Sequence, residues 1–224
     1  MRHRISVTIS IKAVWTDFGG VLTPPVGETF SAFCAKTGLP PDPLLIAVAN
    51  VTARYGTDDF MLPLDTPLVT EDEWLRQIAA ELATQGIEAP MISFADAWFD
   101  GRRTNVEWLA QLHRVRERGL FVGMLSNMPP AWEEHWRRMV PPEGVFDDVV
   151  NSAQVGCRKP DPEIFQLAAR RAGVPAAQCV LIDDLAKNCE GARAAGWQAI
   201  EFAEAGAAAE ELDALLGQSR VTSP

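Results

Sequence analysis

The chain has 224 residues and a net charge of −10, from 20 Lys+Arg against 30 Asp+Glu. Hydrophobic residues make up 47% and charged residues 22%, the profile of a globular chain rather than a disordered one. The acid excess excludes the basic stripe of a nucleic-acid binder and disfavours adsorption to an anionic membrane, while the length suits one large domain or a domain with an insert.

The opening run MRHRISVTISIKAV puts basic residues ahead of apolar ones. Thr8, Ser10 and Lys12 break the apolar part and no small-residue cleavage site follows closely. It reads as a lead-in to a first strand, Ile11–Thr16, rather than a signal peptide. From Pro24 to about Gly101 no strand pattern occurs. Helical signals run through Thr29–Thr37, Asp42–Val51, Glu71–Gln85 and Ile92–Phe99, divided by the turn-rich stretch Tyr55–Thr70 with Pro63 and Pro67. A helix then covers Asn105–Arg118, with Val106, Leu109, Leu112 and Val115 at helical spacing and Gly119 as its stop. Strands follow at Leu120–Leu125 and Val145–Val150, a proline-started helix at Pro162–Ala172, and a strand at Cys179–Ile182. The helix Ala186–Ala195, the strand Gln198–Phe202, the helix Ala207–Leu216 and a frayed tail, Gly217–Pro224, complete the chain. Strand–helix alternation with near-continuous apolar strands predicts an α/β fold, a doubly wound parallel five-stranded sheet covered on both faces. The expected organisation is a core of residues 1–24 and 102–224 with an all-helical insert, 25–101, after the first strand.

No apolar run approaches membrane-spanning length; the longest obvious one is Leu44 to Ala49. Cys34, Cys157, Cys179 and Cys189 are scattered with no CxxC pair, which reads as free thiols in a reducing cytoplasm. The three His, His3, His113 and His135, lack zinc-ligand spacing.

Four segments carry chemistry. In Trp15-Thr16-Asp17-Phe18-Gly19-Gly20-Val21-Leu22-Thr23, an Asp and two glycines stand at the carboxyl end of a strand. That edge is where open α/β sheets bind ligands, although an Asp capping a bend would look the same. In Gly123-Met124-Leu125-Ser126-Asn127-Met128-Pro129, Ser126 and Asn127 are either donors to an oxyanion or an ordinary helix cap. In Gly156-Cys157-Arg158-Lys159-Pro160-Asp161-Pro162, Lys159 stands in a stiff loop, poised for a ligand or simply solvated. In Val180-Leu181-Ile182-Asp183-Asp184-Leu185, two carboxylates follow an apolar strand. Neighbouring carboxylates stay ionised only beside a cation, and hard oxygen donors suit Mg²⁺. The set, in this order, is what phosphoryl transfer to a carboxylate requires.

At these residues the chain resembles the haloacid dehalogenase (HAD) superfamily of phosphohydrolases. The four motifs fall in order within Lys12–Thr23 and Thr104–Phe202, and the insert occupies the position of that superfamily's first cap type. The wording DFGGVLT, LSNM, GCRKPDPEIF and LIDDLAKNCEGARAAGW is most similar to the subgroup related to the phosphatase domain of soluble epoxide hydrolase. The resemblance implies a Rossmann-like core under a cap, and a Mg²⁺-dependent phosphoric monoester hydrolase acting on a small phosphorylated substrate, as a monomer or homodimer. It implies that Asp17 is the nucleophile that forms an aspartyl-phosphate. It implies that Ser126, Asn127 and Lys159 hold the phosphoryl oxygens. Asp17, the Gly19 carbonyl and Asp184 would bind the metal, with Asp183 supporting directly or through water. An Asp needs no base to attack if its pKa lies near ~3.9.

One position departs. The family's phosphatases usually carry a second Asp two places after the nucleophile, which protonates the leaving oxygen; here that residue is Gly19. Such acid–base help is typically worth ~10²–10⁴-fold. Three readings stay open. Another group, from the insert for example, supplies the proton; or the leaving group is good, as in a sugar 1-phosphate or a diphosphate; or the protein is a slow or non-catalytic phospholigand-binding regulator. Dehalogenation uses the same Asp, but Gly19 replaces the aromatic residue usual in dehalogenases. In the insert, Arg54, Tyr55, Asp58, Asp59 and Trp98 are the first residues to consider for specificity. Trp74 and Trp98 fit core positions, and His113 and His135 fit surface or packing positions.

Overall fold

A computed structural model describes residues 10–89 and 93–217. The expected lead-in over 1–9, Ile92 ahead of the last insert helix, and the tail beyond Gly217 lie outside the described residues. The strands are β1 (Ala13–Thr16), β2 (Phe121–Ser126), β3 (Asp148–Asn151), β4 (Cys179–Asp183) and β5 (Gln198–Glu201). They form one parallel sheet in the order β3-β2-β1-β4-β5. The chain winds outward from β1 through β2 to β3, then returns to the other side of β1 as β4. The reversal makes the β1/β4 boundary the switch point of the sheet, where the carboxyl ends of strands leave a crevice.

Alternation along the strands serves two cores. Val14, Val122, Met124, Val180 and Ile182 pack on one face, with Trp108 and Leu112 of helix α6 (Val106–Glu117) and Leu212 of α11 (Ala205–Gly217). Ala13, Trp15, Leu125, Leu181 and Val150 pack on the other, with Ile164 and Phe165 of α9 (Pro162–Ala172) and Cys189 of α10 (Ala186–Ala194). The Trp108 indole N–H donates to Thr16 Oγ1 at 3.0 Å, tying α6 to the last residue of β1.

Between β1 and α6 the described residues are helical, in α1 (Val26–Thr37), α2 (Pro41–Ala53), the one-turn α3 (Leu62–Asp65), α4 (Glu71–Thr84) and α5 (Phe94–Phe99). The chain leaves β1 and comes back along adjacent paths. Asn105 ties them together, its backbone N–H donating to the Leu22 carbonyl at 2.8 Å and its side-chain amide to the Val21 carbonyl at 2.9 Å.

Two short helices, α7 (Glu133–Met139) and α8 (Ser152–Val155), complete the set and were not visible as periodic runs. Nor was α3, which lies inside the stretch expected to be turns. The strand expected over Val145–Val150 begins only at Asp148. Val145 and Phe146 are buried in the turn ahead of it, and Asp147 exchanges backbone and side-chain hydrogen bonds with Val122. Burial of a turn looks like burial of a strand when read as apolar residues alone. Among the described residues no helix is long and apolar enough to cross a membrane.

The sheet contains one tight accommodation. Gly123 of β2 faces Trp15 of β1 in register, and a Cβ at Gly123 would lie 2.4 Å from the Trp15 ring. Trp15 is wholly buried and cannot yield. Gly27 in α1, by contrast, has nothing within 4 Å of an added Cβ. Gly123→Ala should therefore cost about 1–3 kcal/mol by overpacking, whereas Gly27→Ala should be neutral or stabilise by up to about 1 kcal/mol. Urea denaturation of both variants checks this.

Candidate active site

Three of the expected site residues stand at strand ends. Asp17 follows β1 directly, with its N–H donating to the Ile182 carbonyl of β4 at 2.8 Å. Ser126 closes β2 and Asp183 closes β4. Asp183 Oδ1 accepts from the Leu185 N–H and from the Asn188 side-chain amide, both at 2.9 Å, which turns the chain into α10. Its other oxygen accepts from Lys159 Nζ at 2.5 Å. The same ammonium lies 2.9 Å from Asp17 Oδ1. Lys159 thus bridges the two carboxylates.

The Lys159 loop is held from two sides. Asn127 donates its amide to the Lys159 carbonyl at 2.8 Å and accepts from the Lys159 N–H at 2.9 Å. Gly191 of α10 packs so closely below that a Cβ there would meet the Pro160 carbonyl at 2.5 Å. Asn127 was expected among the phosphoryl ligands. Its side-chain amide holds the Lys159 loop, and Asn127 lines the cavity together with Ser126 and Lys159.

Asp17, Asp183 and Asp184 each offer an oxygen, all within 4.8 Å of one another. Gly20 makes this approach possible. It has φ +77°, and a Cβ on it would lie 2.1 Å from Asp184 Oδ2. Gly19 differs: nothing stands within 4 Å of an added Cβ. Burial, Asp17 and Asp183 together push the Asp184 carboxyl up to about 7, against the pull of Lys159. Burial likewise raises Asp17, although Lys159 draws it back. Burial alone would lower Lys159, but Asp17 and Asp183 outweigh it and hold the ammonium charged. Burial and Asp183 therefore work against the Asp17 charge while Lys159 supports it. Three carboxylate oxygens within 4.8 Å of one another, with one ammonium among them, are a donor set that fits Mg²⁺, and a divalent ion there would oppose both carboxyl shifts.

A second ionic cluster joins the helical segment to the sheet side. Arg158 contacts Asp65 of α3 through Nε and Nη2, each at 2.9 Å, and Asp59 through Nη1 at 3.0 Å. Lys187 also reaches Asp59, at 2.8 Å. The Asp65 carbonyl accepts from Ser152 Oγ at 2.9 Å. Burial pushes Asp65 up to about 6 against the pull of Arg158. Burial would raise Asp59 too, but hydrogen bonds from Lys187 and Arg158 prevail and hold it at about 2. Of the insert residues considered from sequence, Asp59 and Trp98 line the site. Arg54 pairs with Glu81, Tyr55 donates to Gln77 at 3.1 Å, and Asp58 is exposed, so these three serve the helical segment itself. Sequence reasoning missed Arg158, Asp65 and Lys187. The only signal was Arg158 beside Lys159, and its partner Asp65 is 93 positions away.

The acids and Lys159 open into a cavity of about 290 Å³ between the strand ends and the helices α1, α2, α4 and α5. Its walls are apolar, with Phe30, Phe33, Leu44, Val48, Ile78 and Phe94 among them. Arg102 also lines it, with its guanidinium carbon 5.6–5.8 Å from the ring centres of Phe18, Trp98 and Phe99. Burial lowers Arg102 to about 10, which leaves it charged at neutral pH.

Residues 11–196 match the family model for haloacid dehalogenase-like hydrolases. The chain belongs to this family. This HAD-like hydrolase is 31% identical over 209 residues to phosphatase MT3486 of Mycobacterium tuberculosis, a span covering 85% of this chain and 87% of that protein. It is 31% identical over 164 residues to a glyceraldehyde 3-phosphate phosphatase of Methanopyrus kandleri, covering 72% and 66%. Its fold is similar to that of a HAD family enzyme of Bacteroides thetaiotaomicron solved with magnesium and inorganic phosphate. That likeness has a TM-score of 0.64 at 23% identity, over 88% of this chain and 96% of that one.

The ionic cluster of the HAD-like hydrolase has a definite pH signature. A carboxyl held below its ordinary value contributes stability above that value and loses it as pH falls through the folded one. Asp59→Asn should therefore lower the melting temperature at pH 7. The gap from the parent protein should close as pH falls from about 4 to about 2, the span between Asp59's ordinary and folded values. Thermal melts of both proteins across that range check it. Asp65, raised rather than lowered, acts with the opposite sign at higher pH and is present in both proteins.

Proposed function

We propose that this HAD-like hydrolase is a Mg²⁺-dependent phosphatase acting through an aspartyl-phosphate on Asp17, and that its substrate is a phosphate ester with an apolar body. The observation that carries the reading is a buried acid–lysine centre opening directly into an apolar cavity. The two phosphatase relatives support the reaction class. In this reading residues 25–101 form a cap over a core of 1–24 and 102–224, and the protein works in a reducing cytoplasm. The motif wording keeps the finer kinship with the phosphatase domain of soluble epoxide hydrolase as part of the proposal.

Asp17, Asp183, Asp184 and the Gly19 carbonyl would hold the metal. Bound there, Mg²⁺ offsets repulsion between Asp17 and the anionic ester and stabilises charge on the transferring phosphoryl group. Asp17 attacks phosphorus as the bond to the leaving oxygen breaks. Ser126 and Lys159 hold phosphoryl oxygens, and Asn127 keeps Lys159 in place. Water then cleaves the acyl phosphate and regenerates the Asp17 carboxylate. Gly19 supplies no proton to the leaving oxygen, so the rate should depend strongly on leaving-group quality.

The walls decide between substrate bodies. Burying a hydroxyl without a partner costs about 1–3 kcal/mol, and a sugar brings several. Each buried methylene instead contributes about 0.8 kcal/mol, nearly a fourfold gain in affinity. Val26, Leu45, Phe60 and Leu185 line the cavity yet stay exposed, which extends the apolar surface to its mouth. An apolar ester is therefore favoured over the sugar 1-phosphate that stood among the open readings as an example of a good leaving group.

A panel of sugar phosphates, an aryl phosphate and alkyl phosphates of rising length tests this. KM should fall by up to about fourfold per added methylene, with sugar phosphates the poorest substrates. Chelation should abolish turnover and Mg²⁺ restore it. Asp17→Asn should retain the fold and lose activity to background; persistence of activity would refute the nucleophile. No turnover of any ester, with phosphate still bound, would favour the alternative of a non-catalytic phospholigand-binding protein, which Gly19 keeps open.

The open space at Gly19 permits a further test, because Gly19→Asp meets no steric obstacle. If the missing acid limits the rate, alkyl phosphates should gain more than aryl phosphates, up to ~10²-fold or beyond. Equal gains would refute the leaving-group argument.

A further inference from the structure

The cations around the cavity are not equivalent. Lys159 contacts Asp17 and Asp183, Arg158 contacts Asp59 and Asp65, and Lys187 contacts Asp59. Among the described residues that line the cavity, Arg102 alone is a cation with no carboxylate against it. Its Nε and Nη1 are buried with no acceptor. Three aromatic rings, Phe18, Trp98 and Phe99, surround the guanidinium instead. Phe18 follows Asp17 directly, so the cage is anchored at the residue next to the nucleophile.

A cation buried with idle donors lowers the stability of the ligand-free fold, and ring faces offset only part of that. Such a group is retained where a ligand completes it. An arginine is suited to the task, because its planar fork gives parallel hydrogen bonds to two oxygens of one anion. The neighbouring Arg103 shows the ordinary alternative: its side chain is 82% exposed and lies 3.6 Å from Glu28.

We propose that Arg102 is a substrate-contacting residue whose guanidinium donates to oxygens of the ester's phosphate group, with Phe18, Trp98 and Phe99 fixing its side chain for that contact. The proposal rests on the phosphatase reading and adds to it a phosphate ligand that none of the four motifs contains. Lys159 is already held by two carboxylates; Arg102 feels the Asp17 charge but has no carboxylate in ion-pair contact with it. The apolar cavity thus has one charged wall group beyond the acid–lysine centre and the Arg158–Lys187 cluster, placed beside the reacting carboxylate rather than along the substrate body.

The test uses the full chain with Mg²⁺ and inorganic phosphate as the probe, measured by calorimetry, alongside thermal melts. Arg102→Met keeps bulk and removes charge. It should weaken phosphate binding about 10–100-fold, as expected for losing a charged hydrogen-bonding pair, and raise KM for any ester turned over more than it changes kcat. Its melting temperature should equal or exceed that of the parent. Arg102→Lys should recover part of the affinity, and Arg103→Met should change nothing. Phosphate affinity of Arg102→Met within twofold of the parent would overturn the proposal. So would a marked loss of melting temperature in both Arg102 variants, which would make the cage structural. A parent protein that binds no phosphate would overturn it as well. A parent that binds phosphate through Arg102 but hydrolyses no ester would refute the phosphatase reading and leave the anion contact standing.

Discussion

The interaction on which the site depends is the buried contact of Lys159 with Asp183 and Asp17. Three carboxylates, Asp17, Asp183 and Asp184, meet one ammonium, an acid excess that raises Asp184 and works against the charge of Asp17. Removing a partner from such a buried set costs roughly 3–5 kcal/mol, because it strands a charge. Strand order brings the acids together: β1 and β4 are neighbours, so residues that end them converge although they are far apart in sequence. The loop that carries Lys159 is then placed by Asn127 and by the close approach of α10 at Gly191. A divalent cation among these carboxylates would offset that excess, which is the physical support for the proposed metal.

The two ends of the cavity divide the work. The charged groups Asp17, Lys159 and Asp184 gather at the strand ends. Toward α1, α2, α4 and α5 the walls are apolar and contribute affinity without direction. The Arg158–Asp65–Asp59–Lys187 cluster ties the helical segment to the sheet side through charge, beside an apolar junction in which Phe94, Trp98 and Phe99 pack on Trp132 and Phe99 on Phe18. The charged contacts are sensitive to pH and salt, whereas the aromatic junction is not.

Most of the core was legible because it obeys local rules. All five strands lie within a few residues of their apolar runs, and the helices with clear periodicity, α4, α6 and α9, sit as expected. The one-turn α3 and α8 were not legible, since four residues carry no period. Turn burial at Val145 and Phe146 imitated a strand for the same reason. At the site, the motif residues Asp17, Ser126, Lys159, Asp183 and Asp184 do converge. Asn127 is present but its amide is turned to the backbone of Lys159, a role that depends on a partner 32 residues on. Arg102 was invisible because an arginine in a loop is ordinary until Trp98 and Phe99 of α5 and the distant Phe18 close around it.

Gly19 and Gly20 make the same point within one dipeptide. In sequence they are equal, two glycines after a strand. In the structure Gly20 is obligatory: its backbone is left-handed, and any side chain would collide with Asp184. Gly19 is under no such constraint, since a side chain there would enter open space. The absence of an acid at Gly19 is thus not a steric by-product of building the metal site. In the proposed phosphatase reaction it would leave the departing oxygen with little help from a proton donor at that position. A cavity with apolar walls and a guanidinium that feels the Asp17 charge fits that proposal, in which charge is managed at the phosphate rather than by proton transfer from the usual aspartate.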